Sequence, residues 1–330
     1  MTGRTIQKLL DLLADGEFHS GQALGKELRV SRAAVWKSIQ RLGELGLNIT
    51  TLNGKGYRIE GGIQLLQHDI IMAFLDPLYH PYLHKLNILK TVTSTNDYLL
   101  DMARMGIQKN VACFAERQTH GRGRQGRPWI GPFGTNIYFS LLWVFKKDLV
   151  ELTGLSLVMA TAILKTLYLY DETLKESVQL KWPNDILYQN RKLGGTLIEV
   201  LAESHNTCQA IIGIGLNTYM SDTAQEHIDQ PWIDLYRILK KPIDRNKIAG
   251  TLLNETIATI KKYEKEGLKP FIAEWKKHDA LAEKKVTVKT PTQIFTGLYK
   301  GISDKGELLV QTADNVLHTL LSAEISVKPL

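Results

Sequence analysis

The chain has 330 residues, 44% of them apolar, and its 41 Lys and Arg outnumber 34 Asp and Glu for a formal net charge of +7. That length allows a catalytic core with one or two smaller domains, and the charge suits a polyanionic partner, whether nucleic acid or nucleotide phosphate. Two cysteines, Cys113 and Cys208, with no CxxC pair and no Cys/His cluster, argue against a disulfide framework or a zinc site and fit a reducing cytoplasm. The start, Met1-Thr-Gly-Arg-Thr, has no apolar leader core, and the apolar stretch Leu149 to Tyr170 is broken by Glu151 and Lys165, so a soluble protein that spans no membrane is expected.

The first sixty residues read as three helices and a hairpin. Ile6, Leu9, Leu10 and Leu13 recur at helical spacing, and Asp15-Gly16 ends that helix. Ser20 caps a second segment containing Ala23, Leu24 and Leu28. Ser31 caps a third, Arg32 to Leu45, with Gly46 as its C′ glycine. Ile49 to Leu52 and Tyr57 to Ile59 flank Asn53-Gly54-Lys55-Gly56, a hairpin signature. This order predicts a winged helix-turn-helix. Gly61-Gly62 marks a boundary.

Beyond it, a helical pattern covers Tyr98 to Met105, and strands are predicted at Val111 to Glu116 and Asn136 to Val144. Leu149 to Leu169 reads as an amphipathic helix. Val178 to Lys181, Ile186 to Tyr188, Leu193 to Val200 and Ile211 to Gly215 read as strands. Asp244 caps a long helix containing Ile248, Leu252, Ile257 and Ile260, and a second helix spans Lys269 to His278. The tail changes character: short β runs at Val286 to Val288, Thr292 to Gly301, Leu308 to Val310 and Ile325 to Val327 suggest a small barrel. The expected domains are therefore 1–62, 63–280 and 281–330.

Three segments carry chemistry. Gly121-Arg122-Gly123-Arg124-Gln125-Gly126-Arg127-Pro128-Trp129 formally spells GxGxxG, but a dinucleotide loop must open into a helix, and this one runs into Pro128, Trp129 and a strand. It reads as a solvated basic loop, as an RNA-binding arginine–glycine segment, or as an anion clamp with bare backbone N–H groups and guanidinium forks on phosphate oxygens. Lys181-Trp182-Pro183-Asn184-Asp185, followed by Arg191-Lys192-Leu193-Gly194-Gly195, reads locally as a strand, a turn and a hairpin. Gly213-Ile214-Gly215-Leu216-Asn217 reads as a strand ending in a small-residue bend.

Taken in order, Ser94-Thr95-Asn96, Gln118 with GRGRxGRxW, KWPND, RKLGG and GIGLN resemble the bifunctional bacterial biotin–protein ligase and biotin-operon repressor family, over nearly the whole chain. The resemblance implies an α+β fold. It has a winged helix-turn-helix, a central mixed β-sheet with helices like that of class II synthetases and lipoyl ligases, and a C-terminal SH3-like β-barrel. It implies that ATP, with Mg²⁺, activates biotin to biotinyl-5′-adenylate, and that a lysine of the biotin carboxyl carrier protein then accepts the biotin. By the same resemblance, Lys192 bridges the biotin carboxylate and the α-phosphate, with Arg124 and Asp185 beside it as catalytic residues. Asp185 would orient or accept the proton of the incoming lysine, a task solvent could also perform. Ser94, Thr95, Asn96, Gln118, Arg122, Gly123 and Arg124 join Lys192 around biotin. Gly121, Arg127, Trp129, Asn184 and Asn217 are assigned to the adenylate, with Asn184 and Asp185 nearest the Mg²⁺ of the triphosphate; no resident metal site is expected. Arg117 and His120 receive no role.

Residues 1–60 carry nine Lys/Arg and six Asp/Glu, so 9 − 6 = +3. Ser31, Arg32, Lys37, Gln40 and Arg41 on the third helix, with Lys55 and Arg58 on the wing, are the expected contacts to operator DNA. A protein-contact domain is the alternative. One head reads a half-site, so repression implies a homodimer, which the resemblance links to bound biotinyl-5′-adenylate. Two rivals are a lipoate–protein ligase and a biotin-sensing repressor with an inactive site.

Overall fold

The computed structural model describes residues 3–45, 47, 49–146, 152–204, 207–220, 228–321 and 325–329. At the N-terminus α1 (Gly3–Leu13), α2 (Gly21–Leu28) and α3 (Arg32–Glu44) precede the hairpin β1 (Ile49–Leu52) and β2 (Gly56–Ile59). Ser20 and Ser31 are the N-caps, their hydroxyls accepting from Ala23 and Ala34 N–H at 3.1 and 3.2 Å. Leu9, Leu10, Leu13, Leu24, Val35, Ile39 and Leu42 fill the core. His19 and Tyr57 exchange backbone hydrogen bonds of 2.9 Å. That approach requires Gly56: it sits at φ +109°, and a Cβ there would lie 2.1 Å from the His19 carbonyl oxygen. The expected C′ glycine, Gly46, lies outside the described residues.

A short α4 (His68–Ala73) leads into β3 (Lys85–Leu89), α5 (Thr95–Arg104), β4 (Val111–Ala115) and β5 (Ile137–Phe145). Then come α6 (Leu155–Tyr170), β6 (Val178–Lys181), β7 (Asp185–Tyr188), β8 (Arg191–Ser204) and β9 (Thr207–Leu216). Helices α7 (Leu235–Leu239), α8 (Arg245–Glu266) and α9 (Lys269–Lys277) follow. The seven strands make one mixed sheet in the order β3-β4-β5-β9-β8-β7-β6, parallel only between β3 and β4. Alternation along β5 separates its faces. Phe139, Leu141, Trp143 and Phe145 join the large core with α6 and α8, whereas Leu142 packs with Leu99 of α5.

Three readings of the sequence are corrected. Helix α5 begins at Thr95, with Ser94 as its N-cap, so Thr95 and Asn96 belong to its first turn rather than preceding it. Helix α6 starts at Leu155 and is buried on almost every side, because it lies between the sheet and α8 and α9. It is a central helix and not an amphipathic one, and residues 149–151 of the predicted span lie outside the described residues. Asp185 opens strand β7 instead of closing a turn.

In the tail, β10 (Lys285–Lys289), β11 (Ile294–Ile302), β12 (Leu308–Gln311), β13 (Leu317–Leu320) and β14 (Ser326–Pro329) form an antiparallel sheet in the order β13-β12-β11-β10-β14. Strand β13, with its alternating exposure, was not anticipated. Val286, Val288, Tyr299 and Leu308 share one continuous core with the central sheet. Trp182 Nε1 donates to the Gly306 carbonyl at 3.1 Å and Tyr299 OH to Asp279 at 2.5 Å, so the tail is fused to the centre. The link after the head is also held. Glu116 accepts from Leu66 N–H at 2.6 Å, its other oxygen is 2.9 Å from Arg245, and Asn246 bonds Gln67 N–H at 2.7 Å.

Candidate active site

The central cavity is built on a floor of missing side chains. Strand register places Gly195 opposite Gly215 and Leu197 opposite Gly213, with Ser140 on the far side of Gly213. Residues paired directly across a sheet share a face and neighbours along a strand alternate, so Gly195 of RKLGG and Gly213 and Gly215 of GIGLN open onto the same side, while Gly194 faces the other. The space is used. A Cβ on Gly213 would lie 2.4 Å from Asn96 Oδ1, and one on Gly215 2.7 Å from the Trp129 ring.

One wall is the first turn of α5. Asn96 Oδ1 accepts from Ser140 Oγ at 2.6 Å, and Asn96 Nδ2 donates to Glu199 at 2.6 Å. Gln118 Oε1 accepts from Thr95 N–H at 2.8 Å and from its hydroxyl at 3.1 Å. Neutral amides and hydroxyls therefore meet at this end.

The opposite wall is cationic. The 121–129 loop folds back on itself through Gly123 N–H to Arg127 O and Trp129 N–H to Gly121 O, both 2.8 Å. Arg124 donates to the Ile325 carbonyl of the tail at 3.3 Å. Burial pulls its guanidinium below the usual value, against the opposing field of Asp185. Lys192 Nζ is 2.6 Å from Asp185 and 5.5 Å from the Trp129 ring centre. Its backbone is clamped by Pro231 and Ile233, with hydrogen bonds of 2.9 Å. Among the described residues the Trp129 indole N–H meets no hydrogen-bond acceptor.

Of the residues expected here, Ser94, Thr95, Asn96 and Gln118 line the polar end. Arg122, Gly123, Arg124, Arg127 and Trp129 line the loop side, and Asn184, Asp185 and Lys192 complete the cavity. Two expected residues stand behind its wall. Asn217 is buried and its amide donates to the carbonyls of Lys192 and Ile233, at 3.4 and 3.1 Å, so it fastens the Lys192 backbone instead of facing a ligand. Gly121 is wedged between Gln118 and Trp129 O, each 2.8 Å from where its Cβ would be. Lys181, Gln230, Ile325 and Val327 also line the cavity and were not expected. Nor were Ser140, Asp97 and Glu199. Ser140 is the one aliphatic hydroxyl in an otherwise apolar and aromatic strand, which was a usable signal. Among the described residues no three His, Cys, Asp or Glu side chains gather as metal ligands would. One carboxylate already paired with a lysine does not make a resident metal cage, but it fits a contact to an ion that arrives on a nucleotide.

On the head, Arg32, Lys37, Gln40 and Arg41 are exposed along α3, together with Trp36, which is 53% exposed. Lys55 is exposed on the wing, while Arg58 lies over the Phe18 ring at 4.7 Å. Ser31 serves as the cap of α3. Arg117 reaches the head as well, donating to the Glu44 carbonyl at the end of α3 at 3.1 Å.

Fold and site together define a ligase core of the biotin and lipoate type that carries a DNA-binding head. Residues 88–217 match the biotin/lipoate A/B protein ligase family, 4–58 a helix-turn-helix domain, and 283–328 the biotin protein ligase C-terminal domain. The bifunctional ligase/repressor BirA of Salmonella typhimurium is 38% identical over 97% of this chain and 96% of its own, and that of Bacillus subtilis 28% over 98% and 99%. A biotin protein ligase from Aquifex aeolicus, solved with biotin and ATP, superposes with a TM-score of 0.62 at 28% identity, covering 75% of this chain and all of that one. The chain belongs to the bifunctional biotin ligase/repressor family.

Proposed function

We propose that this cavity condenses biotin with ATP to biotinyl-5′-adenylate and pyrophosphate, and then passes the biotin to a lysine amine of a biotin carboxyl carrier protein, releasing AMP. The supporting observation is the convergence of the 121–129 loop and Lys192 on one glycine-floored cavity with a neutral, hydrogen-bonding end. A ureido ring needs neutral donors and acceptors, which Ser94, Thr95 and Gln118 offer. A carboxylate is already ionised at neutral pH, so the first step requires two anions aligned and their charge neutralised. Lys192 and Arg124 meet that need. Asp185 holds the Lys192 ammonium in place, and in the second step it, or solvent, takes the proton of the incoming amine. Mg²⁺ would enter with the triphosphate as part of the substrate and would neutralise phosphate charge there; Asn184 and Asp185 are the residues assigned to meet it.

The head is assigned to operator DNA through Arg32, Lys37, Gln40, Arg41 and Lys55, with a homodimer formed on the adenylate and two heads spanning a near-palindromic site. The domain limits 1–62, 63–280 and 281–330, and a cytoplasmic setting, belong to the same reading. Among the described residues no helix is long and apolar enough to cross a membrane. The test is to incubate the protein with ATP, Mg²⁺ and either biotin or lipoate and weigh the bound acyl-adenylate by mass spectrometry. A biotinyl-adenylate supports the reading; a lipoyl-adenylate, or none, refutes it.

A further inference from the structure

Arg122 was expected among the groups that meet biotin, yet its charge is already answered. Nη1 lies 2.6 Å from Asp97 and Nη2 2.9 Å from Glu199. Both carboxylates come from rigid elements, Asp97 from the first turn of α5 and Glu199 from β8, where it pairs with Ile211. Two carboxylates around one guanidinium leave the cluster with a formal charge of −1, which repels a further anion. These bonds hold the Arg122 guanidinium above its usual value, although burial alone, the largest single influence, would lower it. Glu199 reaches further: its second oxygen accepts from Asn96 Nδ2 at 2.6 Å, and Asn96 is fixed in turn by Ser140. The cluster is only partly shielded, with side chains 28%, 34% and 30% exposed, so its effect lies in geometry more than in raw stability.

We propose that Arg122 is a positioning residue, pinned by Asp97 and Glu199 so that it anchors the arginine–glycine loop to α5 and β8 and orients the Asn96 amide, while its charge is not offered to the reactants. Asp97 and Glu199 thereby belong to the site although they stand behind the cavity lining. The anionic groups of the reactants are left to Lys192 and Arg124. This rests on the reading of the cavity as a biotin site.

The two roles for Arg122 predict different ligand dependence. The affinity of the full-length protein is measured by calorimetry for biotin and for biotinol, in which an uncharged alcohol replaces the carboxylic acid. An anchor affects both ligands equally. The expected result is that Arg122→Ala and Glu199→Gln each weaken biotin and biotinol by one common factor, about 10- to 100-fold. The double variant should lose less than the two single losses combined, since both changes remove the Arg122–Glu199 tie. Arg122→Lys, which keeps one bridge, should lose less. Thermal melts of each variant confirm that binding is measured on folded protein, and Arg122→Lys carries the test if the alanine variant does not fold. The proposal is overturned if Arg122→Ala weakens biotin but leaves biotinol unchanged, if the two substitutions add, or if neither changes affinity. Failure of the unaltered protein to bind either ligand would instead refute the biotin reading itself.

Discussion

Lys192→Met keeps an unbranched apolar stem and removes the charged ammonium. Nζ lies 2.6 Å from Asp185 in a wall where the two side chains are 18% and 20% exposed, so the substitution has two effects. It deletes a charge-assisted donor from a largely dry site, and it leaves a carboxylate facing incoming anions. Loss of one such donor costs about 2.7–4 kcal/mol in the barrier, which is about 100- to 1000-fold in rate. The assay is biotin-dependent exchange of labelled pyrophosphate into ATP. Adding Asp185→Asn separates the two effects: removing the stranded carboxylate should recover only the repulsive part of the loss. If Lys192→Met exchanged within about threefold of the unaltered protein, Lys192 would have no role in adenylation. If the double variant regained the full rate, Lys192 would serve only to neutralise Asp185.

Other outcomes follow from the same geometry. Arg124→Gly removes the tie between the loop and the Ile325 carbonyl; adenylate should escape before transfer, and biotin labelling of bystander proteins should rise, whereas unchanged selectivity would count against that tie. Gly215→Ala sets a Cβ 2.7 Å from the Trp129 ring; overpacking of this kind costs about 1–3 kcal/mol, so KM for ATP should rise about 10-fold or more, and an unaltered KM would show that Trp129 shifts freely. Burial holds the Asp279 carboxyl above the usual aspartate value, even though Tyr299 OH and Leu281 N–H both bond to it. The unfolded chain releases that proton near about pH 3.9. Between there and the raised native value the folded state binds more protons, so stability falls as pH rises through this window. Asp279→Asn should flatten the melting-temperature profile over that acidic range and raise it at neutral pH; an unchanged slope would reject the assignment.

What the sequence made legible was mostly local. Ser20, Ser31 and Asp244 could be read as caps because a cap is a bond between a side chain and an N–H a few residues away, and all three cap as expected. The start of α5 was misplaced because Thr95 and Asn96 have weak helix propensity, and tertiary bonds to Gln118, Ser140 and Glu199 hold them in its first turn. The motif residues could be grouped as an anion clamp on chemistry alone. Their partners could not. Ser140, Gly213 and Leu197 stand side by side only through the pairing of β5 with β9 and β9 with β8, and Glu199 reaches Arg122 across 77 residues of chain. Asn217 was misassigned for a related reason: a polar residue after a glycine strand looks like a ligand contact until the Ile233 carbonyl is known to lie against it.

The boundary read at Gly61-Gly62 divides the chain but not the packing. Phe133, which follows the cavity loop and precedes β5, is 1% exposed and belongs to the core of the head, where Ile63 and Leu65 also pack. A unit of sixty residues buries only about 60% of the surface its unfolded chain exposes, so its stability is marginal and one borrowed aromatic ring matters. Phe133→Ala removes that ring at a cost of about 3–5 kcal/mol, a large share of what such a small unit has. The central core, which is continuous with the tail and takes nothing from Phe133, should keep its stability. Differential scanning calorimetry should therefore split one transition into two, with the head melting first. Proteolysis near Gly61-Gly62 should quicken, while biotin-dependent pyrophosphate exchange persists below the second transition. A single transition at the unaltered temperature would mean that the head is held by its own helices and gains nothing from the ligase core.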